Sequence, residues 1–308
     1  MLKGNHFLLI ICLLGLLFVS CKKNANSEKQ QPCVGGCGVI DFSLIDYEPA
    51  WSPDGKYIAY YHIDKEISKN GIYLITPDGS ENRLWHQGAG AETPTWSPDG
   101  QWIAFSEGAQ IWKKKLNGDS LTRITNEGRN FFPSWSPDGK WIAYDSNTES
   151  PNGMNFIWKV SVITNTKTRI AYEPLKGEIR MPYWRGGEIY HIRYIGVTYP
   201  EIFSMNDDGS EPMRLTNNSA TDNYPRYSVA DKKISFTSQP QNGYPQIWIM
   251  NADGSNQQQL TQTGGFTSDW SPDGKSIVYT DSRSVNGRLW IMNADGSDKR
   301  QLTFKENF

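Results

Sequence analysis

The sequence predicts an all-β protein, a six-bladed β-propeller of four-stranded antiparallel blades. Two observations carry this prediction: a turn motif that returns at a blade-sized interval, and a β-rich run after each copy. Trp-Ser-Pro-Asp-Gly is complete in four copies, and two degenerate copies fill the gap between the third and the fourth. The six copies begin at Trp51, Trp96, Trp135, Trp184, Tyr227 and Trp270. Intervals of about 40 to 50 residues are typical of propeller blades.

Each repeat is predicted to supply four strands. The residues before the motif form the first strand, and Ser-Pro-Asp-Gly forms a hairpin turn because Pro presets φ and Gly accepts a left-handed backbone. The third strand carries an aromatic residue, such as Trp112 or Trp248, and an Asp-Gly-Ser turn then leads to a short fourth strand ending in Leu-Thr, as at Leu215-Thr216. A ring of such sheets buries each apolar face against the next, so we expect the Trp side chains to pack between adjacent sheets.

The first residues have the pattern of an export signal. Lys3 precedes an apolar run from Phe7 to Val19, which is shorter than the ~20 residues of a membrane span. Residues 1–20 are therefore predicted to be a signal peptide. Phe18-Val19-Ser20-Cys21 resembles the bacterial lipoprotein signal, which implies that Cys21 becomes the acylated first residue. The alternative is an ordinary secreted protein with Cys21 free.

Residues 21–38 are predicted to be a flexible tether, because most of them are polar and show no period. Cys33 and Cys37 form a possible disulfide in an oxidising compartment, although spacing alone leaves the pair open. Residues 39–308 are assigned to the propeller. The chain has 31 basic and 33 acidic side chains and a net charge of −2, so its charge does not favour nucleic acid as a partner.

The repeat Trp-Ser-Pro-Asp-Gly-Lys-x-Ile-Ala-Tyr, followed by Ile-Trp-x-Met-Asn-x-Asp-Gly-Ser and Leu-Thr, resembles the TolB-type six-bladed propeller over residues 47–303. The resemblance implies a periplasmic protein that binds partner proteins of the cell envelope. Only the tether precedes Tyr47, so we expect this chain to lack the small α/β domain that precedes the TolB propeller. The repeat also resembles the propeller of prolyl-oligopeptidase-type peptidases. The hydrolase domain of that class is not expected here, since the sequence has no Gly-x-Ser-x-Gly motif.

The predicted binding residues surround the mouth of the central channel. The connections between second and third strands and between fourth and first strands are variable, and variable loops on a rigid scaffold often bind ligands. We expect a ring of mixed aromatic and charged side chains just before the inner strands: Glu48, Glu92, Phe131, Arg180, Tyr224 and Phe266. Such a ring suits a protein or peptide partner. The alternative is that these side chains only plug the channel.

No catalytic residue, cofactor or metal site is predicted. His62 and His191 fall in second strands and are interpreted as packed core residues, and His86 is assigned to a loop. The Asp-Gly-Ser segments are interpreted as turns and not as calcium loops.

The resulting hypothesis is a monomeric, non-catalytic lipoprotein of the bacterial cell envelope. It is expected to face the periplasm, to touch the membrane through its lipid anchor only, and to hold an envelope protein or peptide. Surface exposure is the alternative location. The functional alternatives are a glycan-binding or glycan-cleaving propeller and a structural subunit of an envelope complex.

Overall fold

A computed structural model describes residues 44–150, 152–170, 177–196, 199–281 and 287–304. All of them belong to one compact unit, Ile40–Phe308. The predicted signal peptide, the predicted tether, Cys21, Cys33 and Cys37 lie outside the described residues.

Blades 1 to 3 come from the first half of the chain. Blade 1 comprises β1 (Leu44–Trp51), β2 (Ile58–Asp64), β3 (Gly71–Ile75) and β4 (Asn82–Gln87), with a short 3₁₀ helix (Ile67–Lys69) between β2 and β3. Blade 2 comprises β5 (Glu92–Trp96), β6 (Trp102–Glu107), β7 (Gln110–Lys115) and β8 (Thr122–Arg123). Blade 3 comprises β9 (Asn130–Trp135), β10 (Trp141–Ser146), β11 (Phe156–Ser161) and β12 (Lys167–Arg169).

Blades 4 to 6 follow in the same order. Blade 4 comprises β13 (Ile179–Arg185), β14 (Glu188–Tyr194), β15 (Pro200–Asn206) and β16 (Met213–Arg214). Blade 5 comprises β17 (Thr221–Ser228), β18 (Lys233–Gln239), β19 (Gln246–Asn251) and β20 (Gln258–Gln259). Blade 6 comprises β21 (Ser268–Trp270), β22 (Ser276–Asp281), β23 (Arg288–Asn293) and β24 (Arg300–Gln301). Each blade is one four-stranded antiparallel sheet of consecutive strands, which confirms the predicted fold class.

The repeated motif forms the hairpin between the first and second strands of blades 1, 2, 3 and 6. In each copy the Ser hydroxyl donates to the Asp carboxylate over 2.5–2.7 Å and accepts the backbone N–H five residues later. The motif Gly has φ between 68° and 73°, which favours glycine over any residue with a Cβ. The hydrogen-bonding groups of the motif are therefore satisfied within the turn itself, which explains why the motif recurs.

The fourth strands end earlier than the sequence predicts. β16, β20 and β24 stop just before the Leu-Thr pairs at 215–216, 260–261 and 302–303, so the prediction that these strands end in Leu-Thr was wrong. The reason is the Thr side chain. Thr216 Oγ1, for example, accepts the N–H of Ile202 at 2.9 Å, and a side chain thus replaces the backbone acceptor that a longer strand would supply. The Leu before each Thr is buried at the edge of the sheet: Leu215, Leu260 and Leu302.

Tryptophans pack between neighbouring blades, as predicted. Trp96 lies in a cluster with Leu74 of blade 1 and Phe105 of blade 2, and its Nε1–H donates to the carbonyl of Ala50 at 3.0 Å. Equivalent clusters contain Trp135, Trp184 and Trp270. Burial of each large apolar side chain stabilises the fold by roughly 1.5 to 3 kcal/mol.

The ring closes without exchanging a strand between the first and last blades. Asp46 of β1 has no exposed surface, and it joins blade 1 to blade 6. Its carboxylate accepts hydrogen bonds from Arg288 Nη1 (3.0 Å), from the Thr303 hydroxyl (2.6 Å) and from His62 Nδ1. Its N–H donates to the Gly287 carbonyl at 2.9 Å. A buried ionic network therefore supplements apolar packing at the seam, where Ile58 meets Leu302.

Candidate functional site

The inner strands of five blades share one unusual backbone position, three residues before the motif aromatic. The residues there have φ between 52° and 56°, in the left-handed region, and each inner strand has a β-bulge at this point; they are Glu48, Thr93, Phe132, Met181 and Tyr224. A residue other than Gly or Asn rarely adopts this conformation, so the bulge is a fixed feature of the repeat. Four of these residues, all except Tyr224, line the channel cavity.

The bulge leaves a backbone N–H that the sheet does not use, and the preceding blade accepts it. Glu48 N–H donates to Thr267 Oγ1 at 2.9 Å, and Thr93 N–H donates to Glu48 Oε2 at 2.7 Å. Met181 N–H donates to Asp145 Oδ2 at 3.1 Å. Glu48 thus has a structural role as well as a position at the mouth, because its carboxyl group joins blade 1 to blade 2.

The channel is nearly filled between its two ends. Its cavity measures about 30 Å³, which is enough for roughly one water molecule.

Two acidic side chains interact electrostatically near the variable end of this channel. Burial raises the pKa of Glu48 to about 8, and the nearby charge of Glu92 adds to the shift. Burial also raises the pKa of Glu92 to about 7, although a hydrogen bond from the Tyr47 hydroxyl opposes the change. Arg226 lowers the Glu48 pKa, but burial outweighs its effect. The mouth therefore holds two carboxyl groups whose negative charges the protein compensates only weakly.

Aromatic side chains form another part of the mouth. The ring of Tyr224 meets Phe266 edge-to-face at 5.0 Å and Phe132 at 6.2 Å, so blades 3, 5 and 6 contribute to one aromatic cluster. Tyr224 is buried, and Phe266 is partly exposed.

Arg180 belongs to a separate ionic cluster. Its Nε lies 3.6 Å from Asp145 Oδ2 and 3.9 Å from Glu178 Oε1, and its side chain is 20% exposed. Burial raises the pKa of Asp145 to about 6, although the positive charge of Arg180 opposes the shift. Because Arg180 already has two acidic neighbours, it is held in place and has little unmatched charge to offer a ligand.

The predicted mouth residues are thus brought together in part. Glu48 with Glu92, and Tyr224 with Phe266, form adjoining pairs, whereas Phe131 packs under Arg129, with 5.9 Å between the guanidinium and the ring centroid. Five of the six residues lie within the inner strands and not before them, because strand pairing begins ahead of the bulge.

Sequence reasoning missed Thr93, Phe132 and Met181. Counting back three residues from each motif aromatic would have found them, since the left-handed position is constant in those repeats. The predicted ring mixed residues from this position with their neighbours one residue earlier.

The three histidines in the described part of the chain occupy structural positions. His191 is buried and stacks on Phe203 with 5.8 Å between ring centroids, and burial lowers its pKa to about 4. His62 is buried at the seam beside Asp46. His86 lies in β4 and not in a loop as expected: it is buried, and its Nε2 is 3.3 Å from Glu107 Oε2.

The opposite end of the channel has a different composition. Tyr183 lies between two guanidinium groups, 5.1 Å from that of Arg185 and 4.9 Å from that of Arg226. Asp269 accepts the N–H of Trp51 at 2.8 Å and interacts with both arginines. Burial raises the pKa of Asp269, and the positive charges of Arg226 and Arg185 oppose this shift.

Within the described ranges, no group of three or more His, Cys, Asp or Glu side chains is placed to hold a metal ion. In the same part of the chain, no helix has the length and apolarity needed to cross a membrane.

Six consecutive four-stranded blades around a narrow channel define a six-bladed propeller. The family model for the TolB beta propeller domain (PD40) matches residues 38–171 and 189–307. The chain therefore belongs to the TolB beta propeller domain family. A search of curated proteins gave no match.

Solved structures agree on the fold. A TolB candidate from Agrobacterium tumefaciens matches 81% of this chain and 90% of its own, with 21% identity and a TM-score of 0.63. TolB from Acinetobacter baumannii matches 86% of this chain and 65% of its own, with 22% identity and a TM-score of 0.66. An oligogalacturonate lyase in complex with manganese matches 84% of this chain and 77% of its own, with 13% identity and a TM-score of 0.57. These similarities establish the fold, which hosts enzymes and non-enzymes alike.

Proposed function

We propose that this protein is a non-catalytic lipoprotein of the bacterial cell envelope whose propeller binds a protein or peptide at the channel mouth. The partner presents a basic side chain to Glu48 and Glu92. The observation that carries this proposal is the weakly compensated pair of carboxyl groups at the mouth. A lysine or arginine of a partner supplies the missing positive charge and turns an unfavourable burial into an ion pair.

The surroundings of the mouth support a macromolecular partner. The connections between second and third strands lie at the same end of the ring, and they carry exposed apolar residues: Ile67, Met154, Ile195, Tyr199 and Tyr244. Exposed apolar residues around a polar centre are typical of protein-binding surfaces. Because the channel cavity is only about 30 Å³, the bound segment lies across the mouth and inserts a side chain.

The location follows from the N-terminal sequence. In this proposal the signal peptide of residues 1–20 is removed, Cys21 carries the lipid, and residues 21–38 tether the propeller to a membrane at its periplasmic side. Cys33 and Cys37 are candidates for a disulfide in that oxidising compartment. The chain acts as a monomer and uses no cofactor.

An acidic glycan is a poorer fit to this mouth. Its carboxylates would lie beside Glu48 and Glu92, and like charges at that distance oppose binding. A basic residue of a peptide would instead be attracted to these two carboxylates.

The proposal is tested by screening a peptide library against the purified propeller at pH 8. We expect the bound sequences to be enriched in Lys or Arg. Glu48→Gln with Glu92→Gln should abolish the enrichment, whereas Glu81→Gln, an acid-to-amide change in the hairpin between β3 and β4 on the other face, should preserve it. Equal binding by the wild type and the double variant would refute the assignment of the mouth, as would a library without enriched sequences.

Proton release provides a second measurement. A bound cation stabilises the ionised carboxylates, so binding near pH 7 should expel protons from Glu48 and Glu92. Calorimetric binding enthalpies in phosphate and in Tris should then differ, because the two buffers take up protons with different heats. Identical enthalpies in the two buffers would contradict the cation assignment.

A further inference from the structure

A second concave surface lies on blade 5, outside the channel. It is a groove of about 650 Å³ between the connection from β16 to β17 and the loop from β18 to β19. This volume falls within the range of small-molecule sites. The groove shares no lining residue with the channel cavity, so it is a separate candidate.

Aromatic side chains form the apolar part of the groove. Phe236 of β18 and Trp248 of β19 are directly paired across the sheet, with 6.4 Å between their ring centroids. Phe236 is buried, whereas Trp248 is partly exposed. The groove therefore offers an indole backed by a second ring.

The polar lining is made of neutral groups only. Asn218, Gln241, Asn242 and Gln257 contribute amides, and none of the lining residues has an ionisable side chain. The Asn218 amide already donates to Asp222 and accepts the Ala220 N–H. The Gln257 amide already donates to the Leu215 and Gly254 carbonyls, so the loop residues Gln241 and Asn242 are the main polar contacts for a ligand. An amide both donates and accepts hydrogen bonds, which is what a hydroxyl group requires. Gln241 and Asn242 are exposed in the loop and can turn toward a ligand.

The corresponding aromatic residues of blades 2 and 4 lie opposite arginines. Trp112 pairs with Arg123 across strands β7 and β8, with 5.9 Å between the guanidinium and the ring centroid, and Phe203 pairs with Arg214. In blade 5 the cross-strand partner of Trp248 is Gln259, whose amide is engaged by the Thr261 carbonyl. The indole of blade 5 thus lacks the cationic cross-strand partner seen in those blades. Trp290 of blade 6 also faces a glutamine, Gln301, but it does not line the groove.

We infer that this groove binds a neutral saccharide. A sugar ring has a face of C–H groups, which packs on an aromatic side chain, and hydroxyl edges, which bind amides. A charged ligand would find no counter-charge among the lining side chains. The inference does not depend on the proposed function, because the two sites have no residue in common.

Saturation-transfer NMR and calorimetry with a panel of neutral oligosaccharides test this inference. The probes are maltotriose, cellotriose, mannotriose and N,N′,N″-triacetylchitotriose, with trigalacturonate as the charged comparison. We expect at least one neutral trisaccharide to bind and trigalacturonate not to bind. No binding by any of the four neutral probes at millimolar concentration, or tighter binding of trigalacturonate, overturns the inference.

Variants test whether the trisaccharide binds in this groove. Trp248→Ala should weaken binding of the neutral trisaccharide by about tenfold or more, whereas Trp290→Ala, at the same strand position in blade 6, should leave it unchanged. Gln241→Ala with Asn242→Ala should also weaken it, and this exposed pair serves if Trp248→Ala does not fold. If the loop variant binds the trisaccharide as tightly as the wild type, the inference is overturned. Glu48→Gln should have no effect on saccharide binding, which separates this site from the mouth.

Discussion

The two ends of the channel bury acidic groups in different surroundings. At the hairpin end, Asp269 lies among Arg185, Arg226 and the Tyr183 hydroxyl, and burial raises its pKa although both arginines oppose the shift. At the variable end, Glu48 and Glu92 are close to each other, and burial raises both of their pKa values. Buried charges are normally paired, so a pair left weakly compensated is a feature that a binding partner can complete. Both ends of the channel contribute contacts between blades, and in our proposal the variable end also receives a ligand.

The largest effect is expected at the hairpin end. Asp269→Ala should lower the free energy of unfolding by about 3 kcal/mol, because it leaves two arginines without their acid and the Trp51 N–H without an acceptor. Urea denaturation measures the loss. Asp269→Asn retains an acceptor and should lower the free energy of unfolding less than Asp269→Ala does. A loss below about 1 kcal/mol in the Ala variant would contradict a stabilising role for Asp269 at the hairpin end.

The mouth should instead destabilise the fold as pH rises. The carboxyl group of Glu48 has a pKa of about 8 in the folded protein and an ordinary value of 4.5, so between these values the folded state binds more protons than the unfolded state. The free energy of unfolding therefore falls with rising pH across that window. Glu48→Gln can keep the hydrogen bond from Thr93 and has no charge to bury. It should raise stability at pH 8.5 by on the order of 2 kcal/mol and leave stability at pH 5 unchanged.

Denaturation curves of both proteins from pH 5 to pH 9 provide the measurement. Glu81→Gln is the matched control, because Glu81 is exposed at the hairpin face. Parallel pH profiles for the wild type and Glu48→Gln would show that the Glu48 carboxyl is compensated after all.

The aromatic part of the mouth should affect binding more than stability. Tyr224→Phe keeps both ring contacts and should bind a selected peptide nearly as well as the wild type, whereas Tyr224→Ala should weaken binding by about tenfold. Calorimetric titration with one peptide selected from the library measures the affinity of each variant. Tyr57→Ala, beside the hairpin of blade 1, is expected to bind normally, and a similar loss in that variant would indicate a general unfolding effect.

The smallest expected effect distinguishes two adjacent phenylalanines. Phe132 contacts Tyr224, whereas Phe131 packs under Arg129. Phe132→Leu should therefore weaken peptide binding by roughly threefold, and Phe131→Leu should change it less. The reverse order would favour the set of mouth residues expected from sequence over the left-handed ring seen in the structure.

The repeat made the architecture predictable from sequence. The hydroxyl, carboxylate and glycine of Trp-Ser-Pro-Asp-Gly satisfy one another within a single turn, so the complete motif located four hairpins. Two degenerate copies located the other two, and with them all six blades. The packed tryptophans followed from the same periodicity. In contrast, the extent of the fourth strands depended on a Thr hydroxyl that replaces a backbone acceptor, and a pattern of strand propensities does not contain that detail.

The sequence predicted the site less well than the fold, because side chains of different blades form the site. Glu48 and Glu92 become a pair, and Tyr224 reaches Phe132 and Phe266, only after the ring has closed. Local sequence determined that five of the six repeats make a bulged inner strand, since that choice depends on neighbouring residues. Which side chains meet, and which charges are left weakly compensated, was decided by tertiary structure, because electrostatic and aromatic contacts depend on distances between residues far apart in the chain.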